Sequence, residues 1–171
     1  MSLALSAVDR SWVQAQPKSL SQIPLELDRL EYFEGTWSCR QPAASTKPTG
    51  MFTWTVRQDL NQFWYLGSAE QVTTSDNNQP INSREFMGYD AASKQLIRSV
   101  VVGNGNSYSL TADNWQDGKL VWSGNIITKG QSTPLREEII QDSQDKFTAT
   151  YFVPNQQGKW TRVVDETCDR Q

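Results

Sequence analysis

The chain has 171 residues and a net charge of −3, with a sequence pI of about 5.0. This length fits one domain with a sizeable core, and the acidic balance argues against a nucleic-acid partner. It contains no histidine, the commonest metal ligand and general base. We therefore expect no metal, no cofactor and no conventional catalytic residue. A run of about 18 apolar residues is also lacking, so we expect no membrane span.

The N-terminal segment lacks clear periodicity, and we expect residues 1–20 to form an arm ahead of a single domain over residues 21–171. Residues 1–7 are too short and too weakly apolar for an intact signal peptide. A periplasmic or secreted location, which we favour, therefore requires that a signal has been removed from this sequence.

A short helix is predicted over residues 21–34. Ser19 or Ser21 could cap it, Pro24 suits its first turn, and Gly35 ends it. Its apolar residues fall at helical spacing, which indicates a helix that plugs one end of the domain.

From residue 36 onward the pattern changes to short segments in which apolar and polar residues alternate, as in β-strands, and turn residues separate these segments. The predicted strands are 36–41, 50–58, 62–73, 81–89, 95–102, 106–114, 119–128, 133–141, 146–153 and 159–168. Hairpin signals join most of them and long crossovers are nearly absent, which disfavours a Greek-key sandwich. The prediction is an all-β fold, a ten-stranded antiparallel up-and-down barrel.

The two cysteines test whether this barrel closes. Cys39 lies in the first predicted strand and Cys168 in the last, and these strands pair if the barrel is closed. A disulfide is favoured in an oxidising compartment, and two unrelated reduced thiols are the alternative. If Cys39 lies opposite Cys168, the antiparallel register puts Trp37 opposite Arg170 on the same face.

Three segments resemble an uncharacterised bacterial family of lipocalin-like (calycin) domains, many described only as domains of unknown function. They are Gly35-Thr36-Trp37, Phe86-Met87-Gly88-Tyr89-Asp90 and Gly158-Lys159-Trp160-Thr161-Arg162. The resemblance covers about residues 27–168 and implies a ten-stranded barrel with a central cavity, without a known activity. In lipocalin-like barrels an arginine typically stacks on the tryptophan of Gly-x-Trp. That assigns Gly35, Trp37 and Arg170 structural roles.

The size and strand count also resemble those of nitrobindin-type haem barrels. These use a histidine ligand that this chain lacks, so a haem function of that type is excluded. The phycobilin lyases are calycins as well, but none of their motifs occurs in this sequence.

Alternation in the second strand points Phe52, Trp54 and Val56 to one face, which we take as the interior. The predicted ligand-binding rings are Trp54, Tyr65, Tyr108, Trp122 and Tyr151. Strand ten places Arg162 and Glu166 on the cysteine face, where burial would require each to pair with a charge or a ligand. The charged residues whose facing stays open are Arg84, Glu85, Arg98, Arg136 and Glu138.

These features favour a binding protein for a small hydrophobic or amphipathic acidic molecule, whose acidic group Arg162 would receive. One alternative is a histidine-free enzyme of isomerase or cyclase type that uses arginine, glutamate and tyrosine in the cavity. Another is a structural or interaction protein without a ligand, in which the arm and Trp12 form a homodimer. An internal ion pair beside a cavity too small for a ligand would rule out the first of these hypotheses, a binding protein.

Overall fold

The protein is a closed barrel of ten antiparallel strands, seen in a computed structural model that describes residues 22–42, 50–72 and 79–171. Each strand pairs with its neighbours in sequence, and β1 pairs with β10. The strands are β1 Gly35–Gln41, β2 Gly50–Asp59, β3 Trp64–Gln71, β4 Asn82–Asp90, β5 Gln95–Val102, β6 Ser107–Ala112, β7 Lys119–Thr128, β8 Gln131–Ser143, β9 Lys146–Pro154 and β10 Trp160–Arg170. Among the described residues, no helix has the length and apolar character needed to cross a membrane.

The helix that precedes β1 is a 3-10 helix, Leu25–Phe33, which begins directly after Pro24. It therefore starts later than the predicted residue 21, and no side chain caps it. The proposed caps Ser19 and Ser21 and the N-terminal arm lie outside the described residues. Strand β3 also starts later than predicted, because residues 60–62 have positive φ angles and form the turn that precedes it.

The barrel is closed by the pairing of β1 with β10. Cys39 lies opposite Cys168, and a disulfide joins them with their Cα atoms 4.1 Å apart. Two residues earlier on β1, Trp37 lies opposite Arg170, whose guanidinium carbon is 4.2 Å from the centre of the indole ring. Such a contact contributes on the order of 1 kcal/mol when partly exposed.

The 3-10 helix covers the end of the barrel at which β1 begins. Leu27, Leu30 and Phe33 point into the barrel and are buried. The indole of Trp37 donates to the carbonyl of Phe33 at 2.9 Å, and the guanidinium of Arg170 donates to the carbonyl of Tyr32 at 2.9 Å. The two residues that close the sheet therefore also hold the helix on it.

Gly35 is required at the junction between helix and barrel for two reasons. Its φ angle is +122°, which side chains disfavour, and a Cβ there would lie 2.8 Å from Nη1 of Arg170. The Gly-x-Trp segment thus makes room for the arginine that stacks on its tryptophan.

The disulfide should contribute strongly to stability, because it joins residues that are 129 positions apart in the chain. We expect Cys168→Ser to lower the free energy of unfolding by about 2–4 kcal/mol in urea titrations. The matched control is the double variant Cys39→Ser/Cys168→Ser, which should lose a similar amount because either change removes the same bond. Wild-type stability in Cys168→Ser, or two free thiols in the native protein, would contradict the Cys39–Cys168 disulfide.

Candidate functional site

The other half of the barrel holds a cavity of about 300 Å³. It extends towards the end at which β1 stops and β2 begins, the end opposite the 3-10 helix. Ile81 at this end is 46% exposed. The lining residues are Gln41, Gly50, Phe52, Trp54, Ala69, Gln71, Ile81, Ser83, Glu85, Arg98, Val100, Val102, Tyr108, Glu137, Ile139, Phe147, Tyr151, Val164 and Glu166.

A buried network of three charged side chains forms one part of the cavity wall. Arg98 on β5 donates from Nε to Oε2 of Glu85 at 2.6 Å and from Nη1 to Oε2 of Glu137 at 2.7 Å. Although burial works to lower the pKa of Arg98, the carboxylates of Glu137 and Glu85 raise it well above its usual value. A buried arginine held between two carboxylates stays charged and fixes the position of all three groups.

Two aromatic residues, Trp54 and Tyr151, border this network. The indole N–H of Trp54 donates to Oε1 of Glu85, and Tyr151 lies beside the network in the same cavity wall. Burial, followed by the charge of Glu137, raises the pKa of Tyr151 well above its ordinary value. The hydroxyl of Tyr151 is therefore neutral near pH 7.

Gly67 on β3 creates the space that this network occupies. A Cβ at Gly67 would overlap the carboxylate of Glu85. Any larger residue at this position would push Glu85 away from Arg98.

Glu166 on β10 is the third carboxyl group of the wall, and its surroundings differ from those of the other two. It is 7% exposed and accepts a hydrogen bond from Nε2 of Gln41 at 3.2 Å. Within the described part of the chain, no arginine or lysine forms an ion pair with it. Burial raises its pKa to about 7, assisted by Glu137 and Glu85 and opposed by the Gln41 hydrogen bond and Arg98.

The structure brings together four of the seven residues expected to contact a ligand. Trp54, Tyr108, Tyr151 and Glu166 all line the cavity. Tyr65 instead packs in the core, with its hydroxyl bonded to Gln58 at 3.1 Å.

Trp122, another expected ligand residue, also lies away from the cavity wall. It is fully buried beneath Arg98, with its ring centre 5.9 Å from the guanidinium carbon.

The expected inward position of Arg162 is wrong. The pairing of β10 with β9 shifts between Arg162 and Val164, and this bulge reverses the facing of the residues before it. Arg162 is 61% exposed and pairs with Asp165 on the outer surface.

The sequence pattern could have identified Glu137, which was not among the predicted site residues. It lies between Leu135 and Ile139 at intervals of two, and all three are buried. The neighbouring candidates Arg136 and Glu138 lie on the outside, where Arg136 contacts the ring of Phe152 and Glu138 pairs with Lys119. Arg84 is also outside, paired with Glu70.

In the described part of the chain, one group of residues brings its possible metal-ligand atoms close together, but this group does not support metal binding. Cys39, Cys168 and Glu166 place their donor atoms within 4.8 Å of one another. Both sulfur atoms belong to the disulfide, however, and so offer no thiolate to a metal ion.

No protein-family model and no curated protein sequence matches the chain. Solved structures do match over most of its length. Rv2717c from M. tuberculosis superposes with a TM-score of 0.62 at 8% identity, covering 87% of this chain and 99% of that one. The S-type phycobiliprotein lyase CPES from Guillardia theta gives a TM-score of 0.57 at 15% identity, covering 84% and 91%. The chain is therefore similar to these two proteins in fold.

The raised pKa of Glu166 predicts how stability depends on pH. The Glu166 carboxyl group holds its proton more tightly in the folded protein than in the unfolded chain. Its contribution to the free energy of unfolding is therefore fully present below about pH 4.5 and is lost as pH rises through about 7. The loss is on the order of 3 kcal/mol for a shift of this size. Urea titrations should show this decline flattened in Glu166→Gln, whereas the exposed control Glu70→Gln should retain it. An unchanged slope in Glu166→Gln would refute the assignment.

Proposed function

We propose that the protein binds a small hydrophobic or amphipathic molecule inside the barrel. The cavity itself carries the proposal. Its volume of about 300 Å³ is at the lower end of the range of roughly 300–1,000 Å³ seen in ligand sites. The space is part of the folded barrel, bounded by side chains whose positions are fixed by packing and hydrogen bonds.

The lining is suited to a mostly apolar molecule with one polar group. Phe52, Trp54 and Phe147 supply aromatic surface, and Val100 and Ile139 supply aliphatic surface. Apolar walls with a few fixed polar groups are the usual composition of ligand sites, since burial of the ligand provides affinity and the polar groups provide orientation. The closed end under the 3-10 helix limits how far a ligand can enter.

The charges of the wall argue against the acidic head group expected from the sequence. Arg162, the residue expected to receive it, lies on the outer surface. Arg98 is the only cation among the described lining residues, and Glu85 and Glu137 already occupy it. A carboxylate in the cavity would have to compete with both glutamates for this arginine.

Filling the cavity should weaken binding of a neutral probe such as prodan, whose fluorescence rises and shifts to the blue in apolar surroundings. We expect Val100→Phe to weaken prodan binding roughly tenfold or more, because Val100 is buried in the cavity wall. The matched control is Val101→Phe on the same strand, whose side chain is 57% exposed and faces outward. Equal binding by the two variants, with native far-UV spectra, would count against the proposal.

Acid–base catalysis on the bound molecule is a second candidate, favoured by the position of Glu166. A carboxyl group that faces a cavity, lacks a cationic partner in the described chain and has a pKa of about 7 can accept a proton near neutral pH. Such a base is one of the groups that a histidine-free isomerase or cyclase needs.

The base elimination of 5-nitrobenzisoxazole tests this second function, because a base that removes its C3 proton breaks the N–O bond and releases a coloured phenolate. Catalysis by Glu166 should rise with pH through about 7, and Glu166→Gln should lower the rate about 100-fold or more. Glu70→Gln serves as the control, since Glu70 is an exposed carboxylate paired with Arg84. A rate that is the same in wild type and Glu166→Gln would leave binding alone as the function.

The disulfide supports an extracytoplasmic location, because an oxidising compartment preserves such bonds.

The third hypothesis from the sequence, a homodimer formed through the N-terminal arm, depends on residues outside the described ranges.

A further inference from the structure

The cavity wall carries more negative than positive groups. Glu85, Glu137 and Glu166 face the cavity, against the single arginine Arg98 among the described lining residues. Both ion pairs of Arg98 are made with Glu85 and Glu137, so Glu166 is left outside the network. From this imbalance we propose that the bound molecule carries a basic nitrogen and that Glu166 pairs with it. The inference rests on the proposed binding function and names the chemical class of ligand.

Glu166 has the position needed to contact a ligand directly. It lines the cavity and is 7% exposed, and its one neutral hydrogen-bond donor in the described chain, Gln41, reaches only Oε2. A carboxylate has about four acceptor sites, so most of them remain open to a ligand donor. An ammonium group there would satisfy these acceptors and balance the charge that burial disfavours.

The remaining lining fits the rest of such a molecule. The faces of aromatic rings attract cations, and Trp54, Tyr108 and Tyr151 lie in the same wall. The apolar body of an amine would contact the aliphatic side chains, including Val164 on the strand of Glu166. The cavity therefore accommodates a compact amine with an apolar body.

The pairing should be controlled by pH, because Glu166 must lose its proton to bind a cation. The groups that face it are Gln41 from β1, Glu85 from β4, Arg98 from β5, Tyr108 from β6, Glu137 from β8 and Tyr151 from β9. Arg98 stays charged and both tyrosines stay neutral near pH 7, because burial of each tyrosine raises its pKa. Glu166, with a pKa of about 7, is thus the group expected to set the pH dependence between pH 6 and 8.

Three probes with the same phenylbutyl body test the inference: 4-phenylbutylamine, 4-phenylbutanol and 5-phenylpentanoate, titrated calorimetrically into the protein at pH 6 and pH 8. The amine is a cation at both values. At pH 8 it should bind about tenfold or more tightly than the alcohol, and the carboxylate should bind most weakly. Amine affinity should rise about tenfold from pH 6 to pH 8, following the fraction of ionised Glu166. The affinity of the alcohol should change little.

Two variants assign the effect to Glu166. Glu166→Gln should lower the affinity of the amine at pH 8 to that of the alcohol and remove the pH dependence of amine binding. Gln41→Leu should shift the rise in amine affinity to higher pH, because the Gln41 hydrogen bond lowers the pKa of Glu166.

The possible outcomes distinguish failure of this inference from failure of the proposed binding function. Binding of the alcohol with no preference for the amine at pH 8, or a preference that survives Glu166→Gln, would overturn the inference and leave the binding function standing. Failure of all three probes and of prodan to bind would overturn both.

Discussion

The pairing of β1 with β10 is the constraint on which the rest of the structure depends. It converts a ten-stranded sheet with two open edges into a barrel with none. Cys39 and Cys168 fix its register covalently, and Trp37 and Arg170 use that register to hold the 3-10 helix over one end. Because one end is covered in this way, the space inside the other half becomes a pocket with a floor.

Closure also explains the chemistry of the interior. It brings strands that are not neighbours to face one another across the interior, so Arg98 of β5 reaches Glu85 on the adjacent strand β4 and Glu137 on the more distant β8 at once. The same burial that strengthens these ion pairs penalises Glu166, which has no cation beside it in the described chain. The interior thus contains one complete ion-pair network and one carboxyl group without a cationic partner among the described residues, and in our proposal a ligand pairs with the second.

Much of the fold could be predicted from the sequence because its signals are local. Alternation in β2 and turn residues such as Gly103-Asn104-Gly105 set the strands, and the two cysteines related the first strand to the last. The site was harder, because facing along a strand depends on an unbroken period of two. The bulge before Val164 breaks that period and moved Arg162 outside. Glu137 was missed although buried apolar residues lie two positions away on either side. The partners of Arg98 come from different strands, and no spacing in the sequence shows such a contact.

The most direct test of the account is a crystal structure of the protein purified without added ligand. We expect continuous density for a compact organic molecule in the cavity, with a polar atom within hydrogen-bonding distance of Glu166. Its apolar part should lie against Trp54 and Val100. A cavity that side chains fill, or one that holds only ordered water bridging Glu166 to Arg98, would contradict it.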